Sequence, residues 1–208
     1  NIRTMPLQCA LPVQTDPWTS PMPRVSFSLR RFVFKHPCKC LSAFNFSSTY
    51  TKNYVKQTIN HWITEFKIDG FRWDLTKGFT QACSSGDDAC TNAYQQDRVD
   101  VLKEYADYSW TLDNDFYVIF EHLGTDAEEQ QWANYRVNEG KGVMMWDNLV
   151  GPFGQNTMGY DSNSNFNRID FENHGFSDRR AVGYGESHDE ERLMYKNLTY
   201  GNGSVKTL

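Results

Sequence analysis

In the stretch GFRWDLTKGF, Arg72 and Asp74 stand two positions apart behind the apolar lead-in FKID. In an extended chain that spacing puts both side chains on one face. A guanidinium beside a carboxylate keeps it ionised and fixes its direction. Glu121 closes the apolar run FYVIF, and His188 and Asp189 follow AVGYGES. Carboxylates that converge on one pocket repel, which raises the pKa of at least one of them. Such groups suit chemistry that needs a proton donor next to an ionised partner. Retaining glycoside hydrolysis is one case. One carboxylate attacks the anomeric carbon; the other protonates the leaving oxygen and then deprotonates water. For Arg72 and Asp74 taken alone, a structural ion pair at a strand end is the simpler reading.

Positioning these groups requires strands that end together. YTKNYVKQTINHWITEF places Tyr54, Val55, Ile59, Trp62, Ile63 and Phe66 on one helical face. KIDGFRWDL reads as a strand, and YQQDRVDVLKEYADYSWTL as a helix with Val99, Leu102, Ala106 and Trp110 inward. FYVIFEHL is a buried strand. TDAEEQQWANY starts with Thr125 and Glu128 at capping-box spacing and predicts a helix to about Gly140. KGVMMW is the next strand, and AVGYGESHDEERL is a fourth strand leading into a helix opened by Glu190 and Glu191. Strand–helix alternation at this pitch predicts an α/β fold with a parallel sheet. Four such units make a partial (β/α)8 TIM barrel, roughly strands 4 to 7. In that fold Asp74, Glu121 and Asp189 each close a strand, on the face where barrel active sites sit.

Composition bounds the rest. The chain has 208 residues, 39% hydrophobic and 15% aromatic, enough for one domain with a sizeable core. A net charge of −5 gives no nucleic-acid footprint. No apolar run approaches the ~18–20 residues that span a bilayer, so neither a nucleic acid nor a membrane is expected as a partner. No targeting segment is expected at the N-terminus. Six of the seven prolines precede residue 38, and no glycine precedes Gly70. Residues 1–50 hold six Lys/Arg and one acid, whereas the remainder holds fifteen and 25. Residues 1–45 therefore read as an irregular or frame-shifted segment, and residues 46–208 as the partial barrel. RVSFSLRRFVF is the one strand candidate in the first part. Cys83 and Cys90 bracket SSGDDA, so they form either a small disulfide ring or two free thiols. Nothing in their spacing suits zinc, and no metal ligand is assigned.

Read in order, three segments resemble the motifs of the α-amylase family, glycoside hydrolase family thirteen. GFRWDLTKGF resembles the second of its short motifs, YVIFEHLG the third and ESHDEERL the fourth. The stretch from about Thr49 to Asn202 is similar to secreted Bacteroidetes-type α-amylases. The resemblance implies that Asp74 is the nucleophile, Glu121 the general acid/base and Asp189 the transition-state stabiliser. It implies that Arg72 and His188 bind the sugar at the cleavage point, and that Lys77 contacts sugar beyond it. His122, next to the acid, either touches substrate or supports the site from behind. Trp73 is expected in the barrel wall.

The resemblance further implies hydrolysis of α-1,4-glucosidic bonds in starch-like glucans. The partner is an α-glucan polysaccharide or maltooligosaccharide, the protein an extracellular monomer. The family's first motif, an Asp with Asn-His four residues later, has no counterpart; AFNFSSTYTKNYV stands there without the histidine. That leaves open the calcium that the asparagine often supports. Ser187 stands where many relatives carry Asn. No clear strands are expected before about residue 66 or after about residue 195. A barrel that cannot close exposes two edges, so residues 1–208 alone are expected to be poorly stable or inactive. A noncatalytic glucan-binding remnant, and a transglycosylase or debranching enzyme of the same family, stand as alternatives. A metal-dependent barrel such as an enolase-type lyase is disfavoured, because the strand between Glu121 and Asp189 brings only Asp147, several residues late.

Overall fold

The computed structural model describes residues 27–29, 44–84 and 86–206. Five strands form one sheet in chain order: β1 (Phe27–Leu29), β2 (Gly70–Trp73), β3 (Tyr117–Phe120), β4 (Met144–Asn148) and β5 (Ala181–Tyr184). Every neighbouring pair is parallel. Six helices connect or follow them: α1 (Thr49–Phe66), α2 (Asp88–Asn92), α3 (Gln96–Leu112), α4 (Asp126–Ala133), α5 (Val150–Thr157) and α6 (Leu193–Tyr200). Parallel neighbours need long crossovers, and helices supply them here. From β2 to β5 this is the expected α/β alternation, and it resembles part of a (β/α)8 barrel. The expected irregular or frame-shifted segment lies largely outside the described residues. Within it, the backbone of 27–29 pairs with β2, at the place of the one strand candidate.

Register sorts the side chains. Arg72 lies opposite Ile119, Trp73 opposite Phe120, and Phe120 opposite Met145. Phe71, Trp73, Val118, Phe120, Val143 and Met145 are all buried in one core with the helices. Arg72, Asp74, Glu121 and Trp146 take the other parity and the other face. Trp73 is 1% exposed and stacks on Tyr105 of α3 at 5.6 Å between ring centroids. It is a wall residue, as expected. Gly70 lets β2 and β3 approach: a Cβ there would sit 2.6 Å from that of Tyr117.

The helices meet the core with a narrower stripe than the sequence suggests. In α1 only Ile59 and Ile63, one turn apart, are fully buried. Tyr54 and Phe66, expected on the same buried face, are 53% and 56% exposed. They pack on neighbouring rings, Tyr54 on Phe44 and Phe66 on Trp62. In α3, Val99, Leu102, Ala106 and Trp110 are buried as expected, with Tyr105 between them. The capping box at α4 does not form. Thr125 makes no side-chain cap, and α4 stops at Ala133, short of Gly140. Glu128 is instead fully buried against Arg98. An unpaired buried guanidinium costs several kcal/mol, more than the ~1 kcal/mol of a cap, so the ion pair takes the glutamate. Glu190 and Glu191 precede α6 rather than open it, because that helix begins at Leu193.

Candidate active site

Asp74 and Glu121 are the first residues past β2 and β3. Because these strands are parallel neighbours, both carboxylates emerge at the same end of the sheet. The pairing continues past both: Glu121 N–H donates to the Trp73 carbonyl at 2.9 Å, and Thr76 N–H donates to the Glu121 carbonyl at 2.8 Å. Arg72, on the same face, bridges them. Its Nη1 pairs with Asp74 Oδ1, and its Nη2 lies 2.8 Å from Glu121 Oε1. The guanidinium sits 5.4 Å from the ring of Trp146, which stacks on Tyr184 at 4.7 Å.

The turn after Asp74 is bent for this purpose. Leu75 has φ 41° and ψ 61°, a left-handed conformation unusual for a branched side chain. The bend aims its N–H at Glu121 Oε2, 2.8 Å away. Leu123, two residues past Glu121, is also left-handed, with φ 54°. Strain of about 1–3 kcal/mol at such positions persists only where the surroundings enforce it. Burial pushes the Glu121 carboxyl above the usual range. The Leu75 N–H and Arg72 oppose that shift, and the charge of Asp74 adds to it. Tyr184 is pushed up to about 12, chiefly by burial and then by the charge of Glu121. Its hydroxyl therefore keeps its hydrogen at neutral pH.

His122 lies behind this surface at 1% exposure. Nδ1 meets Thr76 Oγ1 at 3.1 Å and Nε2 meets Glu128 Oε2 at 2.9 Å, so both ring nitrogens are engaged. Of the two roles expected for His122, this placement fits support from behind. Arg98 completes the layer. It grips Glu128 through Nε and Nη2 at 2.7 and 2.6 Å, and donates to the carbonyls of Lys77, Thr91 and Ala93. Burial depresses the basicity of His122, and Glu128 opposes it only in part. Burial pushes Glu128 up, but hydrogen bonds from His122 and Arg98 outweigh that and hold it below the usual range.

Lys77 sits in the 3-10 turn Thr76–Phe79, where its Nζ donates to Asn92 Oδ1 of α2 at 2.7 Å. The Cys83–Cys90 disulfide forms, with Cα atoms 5.6 Å apart, and holds α2 beside that turn. His188 and Asp189 lie past β5, where the charge of Asp189 still reaches Tyr184. Asp189 does not close the fourth strand: β5 ends at Tyr184, and both residues lie on a turn, with side chains 44% and 63% exposed and 3.3 Å apart. The cause is local. Glu186 accepts the Leu193 N–H at 2.6 Å, which folds this segment back onto the start of α6.

The structure thus brings together Arg72, Asp74 and Glu121, seats His122 behind them, and leaves His188 and Asp189 at the rim. Sequence reasoning missed Trp146, Tyr184 and Thr76. Strand parity within KGVMMWDNL would have exposed Trp146, whereas Thr76 acts through a turn that no periodicity encodes. Among the described residues, the group with metal-ligand spacing is Asp126, Glu129 and His174. A cavity of ≈ 620 Å³ opens at the N-terminal ends of the strands, lined by Asp69, Trp110, Lys141 and Arg180 among others, away from the acidic cluster.

No family model matches the sequence, and no curated protein does. Solved structures do. The pullulanase of Anoxybacillus sp. LM18-11, complexed with maltotetraose, matches with a TM-score of 0.50 and 14% identity, over 79% of this chain and 24% of that one. The type I pullulanase of Bacillus subtilis strain 168, complexed with maltose, matches with a TM-score of 0.44 and 14% identity, over 76% and 23%. The chain spans about a quarter of the length of these proteins. The first likeness places the fold with that pullulanase.

Proposed function

We propose that this chain carries the nucleophile and the acid/base of a retaining glycoside hydrolase that cleaves α-1,4-glucosidic bonds in starch-like glucans, as α-amylases do. The observation that carries the reading is the Arg72 bridge between Asp74 and Glu121 at adjacent strand ends. Asp74 attacks the anomeric carbon while Glu121 passes its proton to the leaving oxygen, giving a glycosyl-enzyme and a shortened glucan. Glu121 then takes a proton from water, water attacks the same carbon, and Asp74 is released. The raised pKa of Glu121 suits a group that must hold a proton until this step. Arg72 aims both carboxylates. The ring of Trp146, with the Arg72 guanidinium over it and Tyr184 stacked on it, backs the site and helps hold Arg72 in place. By resemblance, His188 and Asp189 close over the sugar at the cleavage point and Lys77 contacts the next one. An extracellular location belongs to the same proposal, and the Cys83–Cys90 bridge supports it.

A second reading, a noncatalytic glucan-binding protein, is favoured by one observation: the exposed turn that carries His188 and Asp189. Transglycosylation and debranching share the same intermediate and differ in acceptor and linkage.

The deciding experiment offers starch, pullulan and maltotetraose to the protein and follows product anomers by NMR. Retained configuration from starch, lost by at least about 100-fold in Asp74→Asn and in Glu121→Gln, is expected. Undiminished cleavage in either variant removes the assignment. Maltotetraose binding without any product would establish the second reading, and cleavage of pullulan alone would make the enzyme a debranching one.

A further inference from the structure

Asp126 opens α4, and Glu129 lies one turn later on the same face. His174 closes the 3-10 turn Phe171–His174, far along the chain. One ligating atom from each of the three lies within 4.8 Å of the others. His174 is 1% exposed, and its ring is held against Phe176 at 4.7 Å between centroids. Its Nε2 bonds to the backbone carbonyl of Arg168. A carbonyl only accepts, so Nε2 carries a hydrogen, which leaves Nδ1 as the ring atom able to present a lone pair to an ion. That atom is buried and has no hydrogen-bond partner. It faces Asp126 Oδ1 at 3.5 Å and Glu129 Oε2 at 3.9 Å.

Three electron-rich atoms therefore converge on one space. They repel one another unless something positive lies between them. A tetrahedral ion with bonds of about 2.0–2.2 Å sets its ligand atoms roughly 3.3–3.6 Å apart. The 3.5 Å separation fits, and the 3.9 Å one needs a small closure. The charges point the same way. Arg168 donates to both oxygens of Asp126, at 3.1 and 2.9 Å, and its Nε lies 3.9 Å from Asp147. Asp147 Oδ2 is buried without a partner, 3.7 Å from His174 Nε2. Asp126 and Asp147 thus share a single guanidinium, whose charge also reaches Glu129 without an ion pair.

We infer that Asp126, Glu129 and His174 form a site for a divalent transition-metal ion of the zinc type, with water as the fourth ligand. One imidazole with two carboxylates suits zinc better than magnesium or calcium, which prefer oxygen-only shells. The His174 Nε2–H bond to a carbonyl is the outer contact that fixes a metal-bound imidazole. Arg168 occupies one lone pair on each Asp126 oxygen and leaves another for the ion. The bound ion pins the turn Phe171–His174 to the first turn of α4. Glu129 Oε1 also accepts the Gly124 N–H at 3.3 Å, which ties the ion to the loop that follows Glu121. The inference is independent of the hydrolase reading.

Co2+ is the probe, because its visible absorption distinguishes tetrahedral from octahedral ligation. The chelator-treated 208-residue chain is titrated with Co2+ and then with Zn2+ in competition. Intense tetrahedral bands that saturate at one equivalent, and that Zn2+ displaces, are expected. His174→Ala should abolish them. Glu129→Gln, nearly isosteric, removes a charged ligand and should weaken binding by at least about 100-fold, the upper end of what losing a mere outer-shell contact costs. His61→Ala, an exposed histidine elsewhere, should leave the titration unchanged. Wild-type protein that shows no tetrahedral bands, or bands that survive in folded Glu129→Gln at full affinity, overturns the assignment.

Discussion

Arg72 answers to two carboxylates at once, which makes it more than a strand-end ion pair. A lysine could not copy this, since a point charge cannot present two rigid donors to two partners. Behind it, His122 shows how a buried residue can leave a solution signature. Its basicity is depressed on folding, so the unfolded chain takes up this proton first. A folded pKa below the unfolded one gives stability that is complete above the unfolded value of 6.5 and is lost as pH falls through the folded value. Glu128, also held low, adds a further loss at more acid pH. His122→Gln should therefore flatten the decline in Tm between about pH 7.5 and 5, whatever it does to Tm itself. Thermal melts across that range check this; an unchanged slope would mean that His122 is not buried neutral.

Elements were legible to the degree that their pattern was local. β2, β3, β4 and β5 could all be read from apolar runs bounded by turn residues, and α3 from its spacing. What was not legible depended on pairings that no strand or helix period encodes. Thr125 and Glu128 carry the letters of a capping box, yet Arg98 claims the glutamate through a pairing that no short window contains. Asp189 looked like a strand end because AVGYGES is apolar and glycine-rich, but Glu186 turns the chain back before it arrives. The choice between disulfide and free thiols at Cys83 and Cys90 was likewise a question of three-dimensional distance. That bridge closes a short ring next to the turn that carries Lys77. Reduction, or paired Cys→Ser exchange, should cost about 2 kcal/mol and lower Tm by roughly 5 °C. Melts with and without reductant measure it.

At the scale of the whole molecule, one core lies between the sheet and the helices α1, α3 and α4. Its reach into α1 is narrow, and that gives a sharp contrast between two residues on the same helix. Ile59→Ala should cost about 2–5 kcal/mol, as expected for emptying a fully buried site. Tyr54→Ala should stay within about 0.5 kcal/mol, because half of that ring already faces solvent. Chemical denaturation of both variants tests the depth at which α1 is seated; equal losses would place Tyr54 in the core after all.

The alternation along β2 has one more consequence, concerning insertions and deletions rather than substitutions. Indole and guanidinium are next-door neighbours in sequence, and only even-odd counting keeps Trp73 among the helices and Arg72 over the carboxylates. Adding or removing one residue between Gly70 and Asp74 would exchange the two faces wholesale, burying a charge in the apolar layer and presenting a tryptophan to Glu121. The length of this segment is thus as strictly specified as its composition. Evolution can redecorate the strand more easily than it can resize it.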